Sequence, residues 1–186
     1  MRDDDQEQVD SIAAGSRDAF VQVYRAHKDR LLTATTVLLG GDQSTAEDIL
    51  HDVFIQLVEQ AASLQVKGKL RNYLITCCLN KTRDHLRRQD IDRRVKQRSN
   101  NSPYDDADQS EQMEAEELRL KLLDFLARLP DSQREVVTLH VQGDMTFAEV
   151  ADTLSISVNT AKSRYRYAID KLQGWASSDR IGSGEK

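Results

Sequence analysis

Residues 132–173 read SQREVVTLHVQGDMTFAEVADTLSISVNTAKSRYRYAIDKLQ, the stretch that decides the fold of this chain. Its apolar residues recur at helical spacing and are interrupted at Gly143-Asp144 and at residues 155–157, which predicts three helices joined by two tight turns. Ser132 and Thr146 are each followed three residues later by a glutamate, the spacing of a capping box at a helix start. Two helices around a short turn, the second of them basic, are the pattern of a helix-turn-helix.

The last of these helices, residues 157–173, separates into an apolar face and a polar face. Steps of three and four residues predict a buried stripe that consists of Val158, Ala161, Tyr165, Ala168 and Leu172. The opposite face and its flanks carry short polar and basic side chains, namely Asn159, Thr160, Lys162, Ser163, Arg164 and Arg166. Short polar side chains can contact base edges, and lysine and arginine can hold phosphates. We therefore predict a DNA-binding face; the alternative is the solvated face of an ordinary helical bundle.

The charge of the chain is arranged in blocks. The formal net charge of the 186 residues is −5, yet residues 63–98 alone carry +8, from 11 basic and 3 acidic side chains. Residues 1–62 carry −7 and residues 99–131 carry −6. A basic block of this size is the electrostatic footprint expected of a phosphate-binding surface.

Composition argues against several classes of protein. A hydrophobic fraction of 39% and a charged fraction of 31% are typical of a soluble protein with one or two modest domains. The acidic N-terminus is unlike a secretory signal, and no apolar run approaches the roughly 18 residues of a membrane span. We therefore expect a cytoplasmic protein without membrane insertion.

Nothing in the sequence indicates catalysis or a cofactor. Cys77 and Cys78 are adjacent within an apolar helical run and lack the spaced partners of a redox or metal motif, so we expect a reduced, buried pair. The four histidines are scattered, and neither a phosphate-cradling glycine loop nor a nucleophile elbow is present. We expect no enzyme activity, no catalytic residue, no metal and no cofactor.

Two further helices are predicted near the N-terminus. Asp18 to Leu39 forms the first, and Gly40-Gly41-Asp42 ends it. Ser44 and Glu47 have capping-box spacing and open the second helix, 46–60. Its outward residues are mostly acidic or polar and include one isoleucine: Glu47, Asp48, Asp52, Ile55 and Gln56. An exposed apolar residue rimmed by charge often marks a partner surface; the alternative is a solvated face with one stray apolar residue.

The basic block contains a third predicted helix, from Lys69 to Arg88. It carries polar, cationic and aromatic groups, which are Asn72, Tyr73, Asn80, Arg83, Asp84, Arg87 and Arg88. Cations together with an aromatic ring suit a single strand of nucleic acid, because bases stack on rings while lysine and arginine follow the backbone. Stacking is worth about 1–3 kcal/mol per base, which roughly offsets the few kcal/mol needed to unstack one base.

Several of these motifs occur together in one known family. Leu129-Pro130, Arg134-Glu135, 147–151 and 160–164 resemble the domain of bacterial sigma factors that binds the promoter −35 element, most closely in the small extracytoplasmic-function group. Residues 46–49 with 52–54 resemble the family signature for docking on the clamp helices of RNA polymerase. A third set of residues resembles the family segment that melts and recognises the −10 element: Tyr73-Leu74, Asn80, Asp84 and Arg87-Arg88.

The chain departs from the family pattern at three places. Ala161 stands where the family usually has valine, on the buried side of its helix. Leu57-Val58 stands where a tryptophan is common, and Tyr73-Leu74 stands where Trp-Leu is common. The tyrosine keeps an aromatic ring for packing or stacking.

The resemblance implies an all-α fold of two small helical domains joined by a flexible linker, the C-terminal domain being a helix-turn-helix. It implies an acidic tail 1–17, a polymerase and −10 domain 18–90, a linker 91–114, a −35 domain 115–175 and a tail 176–186. Gln89 to Gln112 lacks apolar periodicity and can extend to about 80 Å, more than the roughly 50 Å between elements one and a half DNA turns apart. Its acidic second half, from Asp105 to Glu111, either mimics nucleic acid or is simply solvated.

The implied function is that of a sigma factor, which binds core RNA polymerase, recognises the −10 and −35 elements of promoter DNA and initiates transcription of a specific gene set. An anti-sigma factor is a further partner that the family suggests. The alternatives are a stand-alone helix-turn-helix repressor or activator, and an inhibitor that binds polymerase or a sigma factor.

Overall fold

The computed structural model describes residues 2–95 and 113–182, and every regular element in these two ranges is a helix. The α-helices are α1 (Arg2–Ala13), α2 (Arg17–Leu38), α3 (Gln43–Gln60), α4 (Leu70–Val95), α5 (Met113–Ala127), α6 (Asp131–Val141), α7 (Phe147–Leu154) and α8 (Val158–Gly182). A single 3₁₀ turn, Ala61–Ser63, follows α3. The predicted all-α fold is confirmed. None of the described helices is long and apolar enough to cross a membrane.

The acidic N-terminus is a helix and not a tail. Val9 is 0% exposed and Ile12 is 5% exposed, so α1 contributes to the hydrophobic core. Asp5 Oδ2 accepts a hydrogen bond of 2.9 Å from the backbone N–H of Leu70, the first residue of α4. Gln6 accepts from Val66 N at 2.9 Å and donates to the Leu64 carbonyl at 3.1 Å. The predicted tail therefore fastens the segment between α3 and α4.

Two of the three predicted capping boxes are wrong. The structure confirms the Thr146–Glu149 box, whose side chains each accept a backbone N–H of the other residue. Ser44 lies inside α3, which begins earlier because Asp42 accepts from Thr45 N at 3.0 Å. α6 begins at Asp131 after Pro130, without a side-chain cap, so Ser132 has no capping role.

The bounds of the predicted linker and C-terminal tail also differ from the structure. α4 continues past Arg88 to Val95 and α5 begins at Met113, so the linker 91–114 starts and ends within helices. Its middle, including the acidic half, lies outside the described residues. Residues 176–182, predicted as tail, belong to α8, while 183–186 are outside the described part. Trp175 packs on Phe125 of α5, with ring centres 6.1 Å apart, and the guanidinium of Arg128, just after α5, lies 4.6 Å from the Trp175 ring centre.

The N-terminal half is held together by the buried faces of α2, α3 and α4. Its largest fully buried side chains share an aliphatic character and are Val9, Val23, Leu31, Val53, Leu57, Leu70, Leu74, Ile75 and Leu79. Phe20, Tyr24 and Phe54 form an aromatic cluster between α2 and α3, with Tyr24 and Phe54 ring centres 4.8 Å apart. α2 lies at the centre of this arrangement and also contacts α1, α5 and α6, while α3 and α4 each turn one face toward the core.

A ring cluster locks the three helices of the C-terminal half. The His140 ring of α6 stacks on Phe147 of α7 with ring centres 4.3 Å apart, and Tyr165 of α8 meets both rings edge-on. His140 Nδ1 lies 2.7 Å from the Met145 carbonyl oxygen, so this nitrogen carries the proton and donates. Such aromatic contacts add about 0.5–1.5 kcal/mol per pair to area burial, which fixes the orientation of α8.

Replacement of Val9 by alanine tests whether α1 belongs to the fold. Loss of two buried methyl groups should lower the free energy of unfolding by about 1–2 kcal/mol, measured by urea denaturation. Glu7→Ala, on the exposed side of the same helix, is the matched control and should change it by less than about 0.5 kcal/mol. Equal stability of the two variants would mean that α1 contributes nothing to the folded core.

Candidate nucleic-acid and polymerase interface

The turn between α7 and α8 presents the N-terminus of α8 to solvent. Ser155 closes α7 in the left-handed region at φ 55°, and Ile156 N donates to the Ala151 carbonyl at 3.0 Å. Ser157 precedes α8, and its hydroxyl accepts a 3.0 Å hydrogen bond from Thr160 N. A three-residue turn with a serine cap fits the helix-turn-helix prediction, and the N–H groups of the first turn of α8 favour a nearby phosphate.

The predicted −35 residues fall into two sets on α8. Asn159, Lys162 and Arg166 form an exposed stripe at steps of three and four residues. Thr160, Ser163 and Arg164 are half-buried, and two of them make local bonds: Thr160 with the Ser157 hydroxyl at 2.8 Å, and Ser163 with the Thr160 carbonyl at 3.0 Å. The free face of α8 therefore consists mainly of one amide and two cations.

The predicted buried stripe of α8 is correct except at its first residue. Ala161 and Ala168 are 0% exposed, and Tyr165 and Leu172 are half-buried. Val158 is 39% exposed, so its predicted burial is wrong. The reason is position: Val158 begins the helix and lies on the turn, before α8 reaches its contacts with α6 and α7.

The predicted polymerase-binding residues lie on the outer side of α3. Glu47, Asp48 and Asp52 are exposed, Gln56 is half-buried, and Ile55 is 57% exposed. Val58, at the end of the same region, is 48% exposed and was not among the predicted residues. Val58 is aliphatic like Ile55, but helical spacing alone did not show that it belongs to the exposed face of α3 and not to the buried one. α3 thus offers a small apolar patch with a carboxylate rim.

The predicted −10 residues extend along α4 over about 24 Å, as judged from 1.5 Å per helical residue. Asn80 and Arg88 are exposed, and Arg87 forms an ion pair with Asp84 one turn away. The Tyr73 hydroxyl donates to Gln60 Oε1 at 3.2 Å, which anchors the ring to the end of α3. Burial raises the pKa of Tyr73 to about 12, so the phenol is neutral near pH 7.

Two predicted −10 residues form hydrogen bonds with the C-terminal half. Arg83 makes a two-pronged contact with Glu135 of α6, from Nε to Oε1 at 2.6 Å and from Nη2 to Oε2 at 2.8 Å. The Asn72 amide nitrogen donates to Glu149 Oε1 of α7 at 2.9 Å. Glu135 therefore bonds to Arg83 of α4 and not to the start of its own helix.

Sequence reasoning missed two cations of the same surface. Arg71 Nη2 lies 2.6 Å from Asp144 Oδ2, and Lys69 Nζ lies 3.6 Å from the same oxygen. Both residues belong to the basic block, so their charge was visible in the sequence. Their common partner was not, because Asp144 is more than 70 residues away in the chain.

These contacts stabilise the charged forms of their members. The hydrogen bond from Arg71 lowers the pKa of Asp144, and the hydrogen bond from the Thr146 N–H lowers the pKa of Glu149. The hydrogen bond to Glu135 raises the pKa of Arg83. All three contacts are therefore ionic or charge-assisted at neutral pH.

The two cysteines are unpaired, as predicted, but only Cys78 is fully buried. Cys78 is 0% exposed and burial raises its pKa to about 12, while Cys77 is half-buried and its pKa is also raised by burial. A thiol with a raised pKa is a weak nucleophile near pH 7, because only the thiolate reacts.

Comparison with known proteins identifies the family. Residues 19–91 match the family described as Sigma-70 region 2, and residues 119–172 match Sigma-70, region 4. The ECF RNA polymerase sigma factor SigK of Mycobacterium ulcerans (strain Agy99) is 26% identical over 165 residues, which are 87% of this chain and 88% of SigK. The chain belongs to the extracytoplasmic-function sigma factors. SigW of Bacillus subtilis (strain 168) is 24% identical, over 89% of this sigma factor and 92% of SigW.

Solved structures show the same fold. CnrH, in complex with the cytosolic domain of CnrY, superposes on this sigma factor with a TM-score of 0.67 at 23% identity, covering 94% of this chain and 98% of CnrH. The sigma factor RpoE of Bartonella quintana, in complex with the anti-sigma factor NepR, gives a TM-score of 0.63 at 20% identity, with coverage of 85% and 98%. As a sigma factor, the protein binds core RNA polymerase and promoter DNA and initiates transcription.

Proposed function

We propose that this sigma factor grips a promoter at two points, with α8 on the −35 element and α4 on the −10 element. The observation that carries the proposal is the exposed stripe Asn159, Lys162 and Arg166 at the start of α8, within a capped helix-turn-helix. An amide can pair with adenine and an arginine with guanine in the major groove, and lysine suits a phosphate. The residues predicted to bind polymerase lie on α3, and therefore on neither α4 nor α8.

For the division of labour we propose that residues 18–90 bind polymerase and the −10 element, and residues 115–175 bind the −35 element. α3 docks on core polymerase through Glu47, Asp48, Asp52, Ile55 and Gln56, where a small apolar contact is surrounded by carboxylates. The rim would steer α3 to a basic partner surface, and Ile55 would supply apolar burial.

On α4, we propose that Tyr73 and the polar and basic residues Asn72, Asn80, Arg83, Asp84, Arg87 and Arg88 engage the −10 region. Lysine and arginine follow the backbone while an aromatic ring stacks on a base. The energy for opening the duplex comes from binding, and the protein performs no covalent chemistry and needs no cofactor. These activities place it in the cytoplasm with its polymerase and DNA.

An anti-sigma factor is part of the proposal. The RpoE structure contains the anti-sigma factor NepR, and the fold of this chain superposes on RpoE over 85% of its length. We propose that a partner of this kind sequesters the chain until a signal releases it.

Reconstituted transcription tests the proposed function. Core polymerase plus this chain should yield promoter-specific RNA that neither component yields alone. A stand-alone helix-turn-helix repressor or activator would instead bind a palindromic duplex tightly as a dimer without polymerase. Absence of specific transcripts together with tight duplex binding by the chain alone would reject the proposal in favour of that alternative.

Alanine substitution of Arg166 and Lys162 tests the −35 assignment. Arg166→Ala should weaken binding to a −35 duplex by about 1–3 kcal/mol if a bidentate base contact is lost. Lys162→Ala should weaken binding to all sequences alike and reduce the salt slope by about one. Lys171→Ala, exposed on another side of the same helix, is the control. The face is wrongly assigned if both variants bind like Lys171→Ala.

Charge reversal on α3 tests the docking surface. Asp48→Arg should reduce assembly with core polymerase at least tenfold, measured by titration of labelled chain, with unchanged helical content by circular dichroism. Asp52→Arg should also reduce assembly with core polymerase. This substitution additionally removes the ion pair with Lys81, whose Nζ lies 3.4 Å from Asp52 Oδ2. Asp29→Arg, with an 86% exposed side chain on α2, is the control. Normal holoenzyme assembly by Asp48→Arg would exclude α3 as the docking helix.

A further inference from the structure

Acidic residues of the C-terminal half cover part of the basic face of α4. We propose that Glu135, Asp144 and Glu149 form an intramolecular surface, here named the acidic latch, that occupies the DNA-facing side of α4 in the free chain. DNA and the acidic latch would then compete for the same side chains. The inference rests on the proposed −10 role of α4.

The geometry of the acidic latch resembles that of a phosphate contact. Glu135 presents two oxygens to Nε and Nη2 of Arg83 at 2.6 and 2.8 Å, the fork geometry with which arginine also holds a phosphate. Asn72 donates to Glu149 at 2.9 Å. An Arg83 side chain held in this way cannot present the same fork to a phosphate, because its Nε and Nη2 already bond to Glu135.

The acidic latch is displayed by the elements that build the helix-turn-helix. Asp144 lies in the turn between α6 and α7 with φ 52°, and its carboxylate forms ion pairs with both Arg71 and Lys69. Glu149 also closes the capping box of α7 through Thr146. The Glu149 carboxylate is thus fixed by local structure before it meets α4, so closing it onto Asn72 orders few additional side chains.

An apolar contact between the two halves accompanies the acidic latch, and a cleft lies beside this contact. Val37, near the end of α2, is 3% exposed and packs with Leu126, Leu129 and Val137 of the C-terminal half. Beside this contact, a cleft of about 320 Å³ lies between α4 and the start of α6, lined in part by Leu79, Leu86 and Arg134. The two halves also share buried apolar residues, among them Val136, Leu139 and Val150 of the C-terminal half. The cleft and the partly exposed ion pairs are the weaker part of this interface.

The acidic latch also accounts for the charge of the chain. The basic block carries +8, and an uncovered surface of this charge would bind any nucleic acid. Pairing of Lys69, Arg71 and Arg83 with acidic residues removes part of this field in the free protein. Docking of the two halves on polymerase at separate places would release these cations where a promoter is present.

Neutralising the acidic latch should expose the strand-binding surface. Glu135→Gln with Asp144→Asn keeps both side-chain shapes, and asparagine tolerates the positive φ of residue 144. In the full chain without polymerase, this double variant should bind a single-stranded −10 oligonucleotide at least fivefold more tightly than the parent, measured by fluorescence anisotropy.

The matched control removes the same two charges elsewhere on the C-terminal half. Asp152→Asn with Asp170→Asn alters exposed residues of α7 and α8 and leaves Glu135 and Asp144 intact. It should bind the oligonucleotide within twofold of the parent. Equal affinity of the two double variants overturns the proposal, because the effect of Glu135 and Asp144 would then be one of net charge alone.

A charge-swap cycle tests closure independently of DNA. Arg83→Glu and Glu135→Arg should each increase the radius of gyration measured by small-angle X-ray scattering, and the combination should restore the parent value, because it recreates the ion pair. Circular dichroism verifies that each variant is folded. A combination as expanded as the single variants, or single variants as compact as the parent, overturns the proposal.

The two tests separate this proposal from the proposed function. The charge-swap cycle could behave as expected while no variant binds the strand and the holoenzyme does not open the promoter. In that case the −10 role of α4 is wrong, and so is the proposed competition between DNA and the acidic latch. If promoter opening is normal but neutralising Glu135 and Asp144 changes neither compactness nor strand affinity, only the acidic latch is wrong.

Discussion

The packing of one side of α4 against α2 and α3 is the interaction on which the rest of the structure depends. Leu70, Leu74, Ile75 and Leu79 are all at most 1% exposed, so this helix has a single orientation in the N-terminal half. Its opposite side must then face outward, and that side carries the cations of the basic block. Asp5 and Gln6 of α1 reinforce the arrangement by binding the backbone at and just before the start of α4.

That orientation determines how the two halves of the sigma factor meet. A cationic helix face in a chain of net charge −5 has many acidic partners available, and the nearest are displayed by the turn and helix start of the C-terminal half. The ring cluster of His140, Phe147 and Tyr165 holds this turn rigidly against α8. One rigid unit therefore carries both the residues proposed to read DNA and the carboxylates that meet α4.

Local signals in the sequence were reliable where no other partner competed for the same atom. Glu149 completes the predicted capping box through Oε2, because Asn72 bonds only to Oε1. At α3 an earlier acceptor, Asp42, caps the helix, and α6 begins at Asp131, so that Ser132 lies inside it. The helix α1 was missed because only Val9 and Ile12 mark its buried side amid acidic residues. Two apolar residues are too weak a periodic signal to set against that composition.

The sequence by itself determined the all-α fold, the helix-turn-helix and the separation of charge into acidic and basic blocks. These properties depend on spacing over one or two helical turns, which a linear pattern records directly. Only the tertiary structure decided which cations remain free. Arg83 and Glu135 are 52 residues apart and Asn72 and Glu149 are 77 apart. Such pairings depend on the shapes of two packed helical surfaces, and no local spacing encodes them.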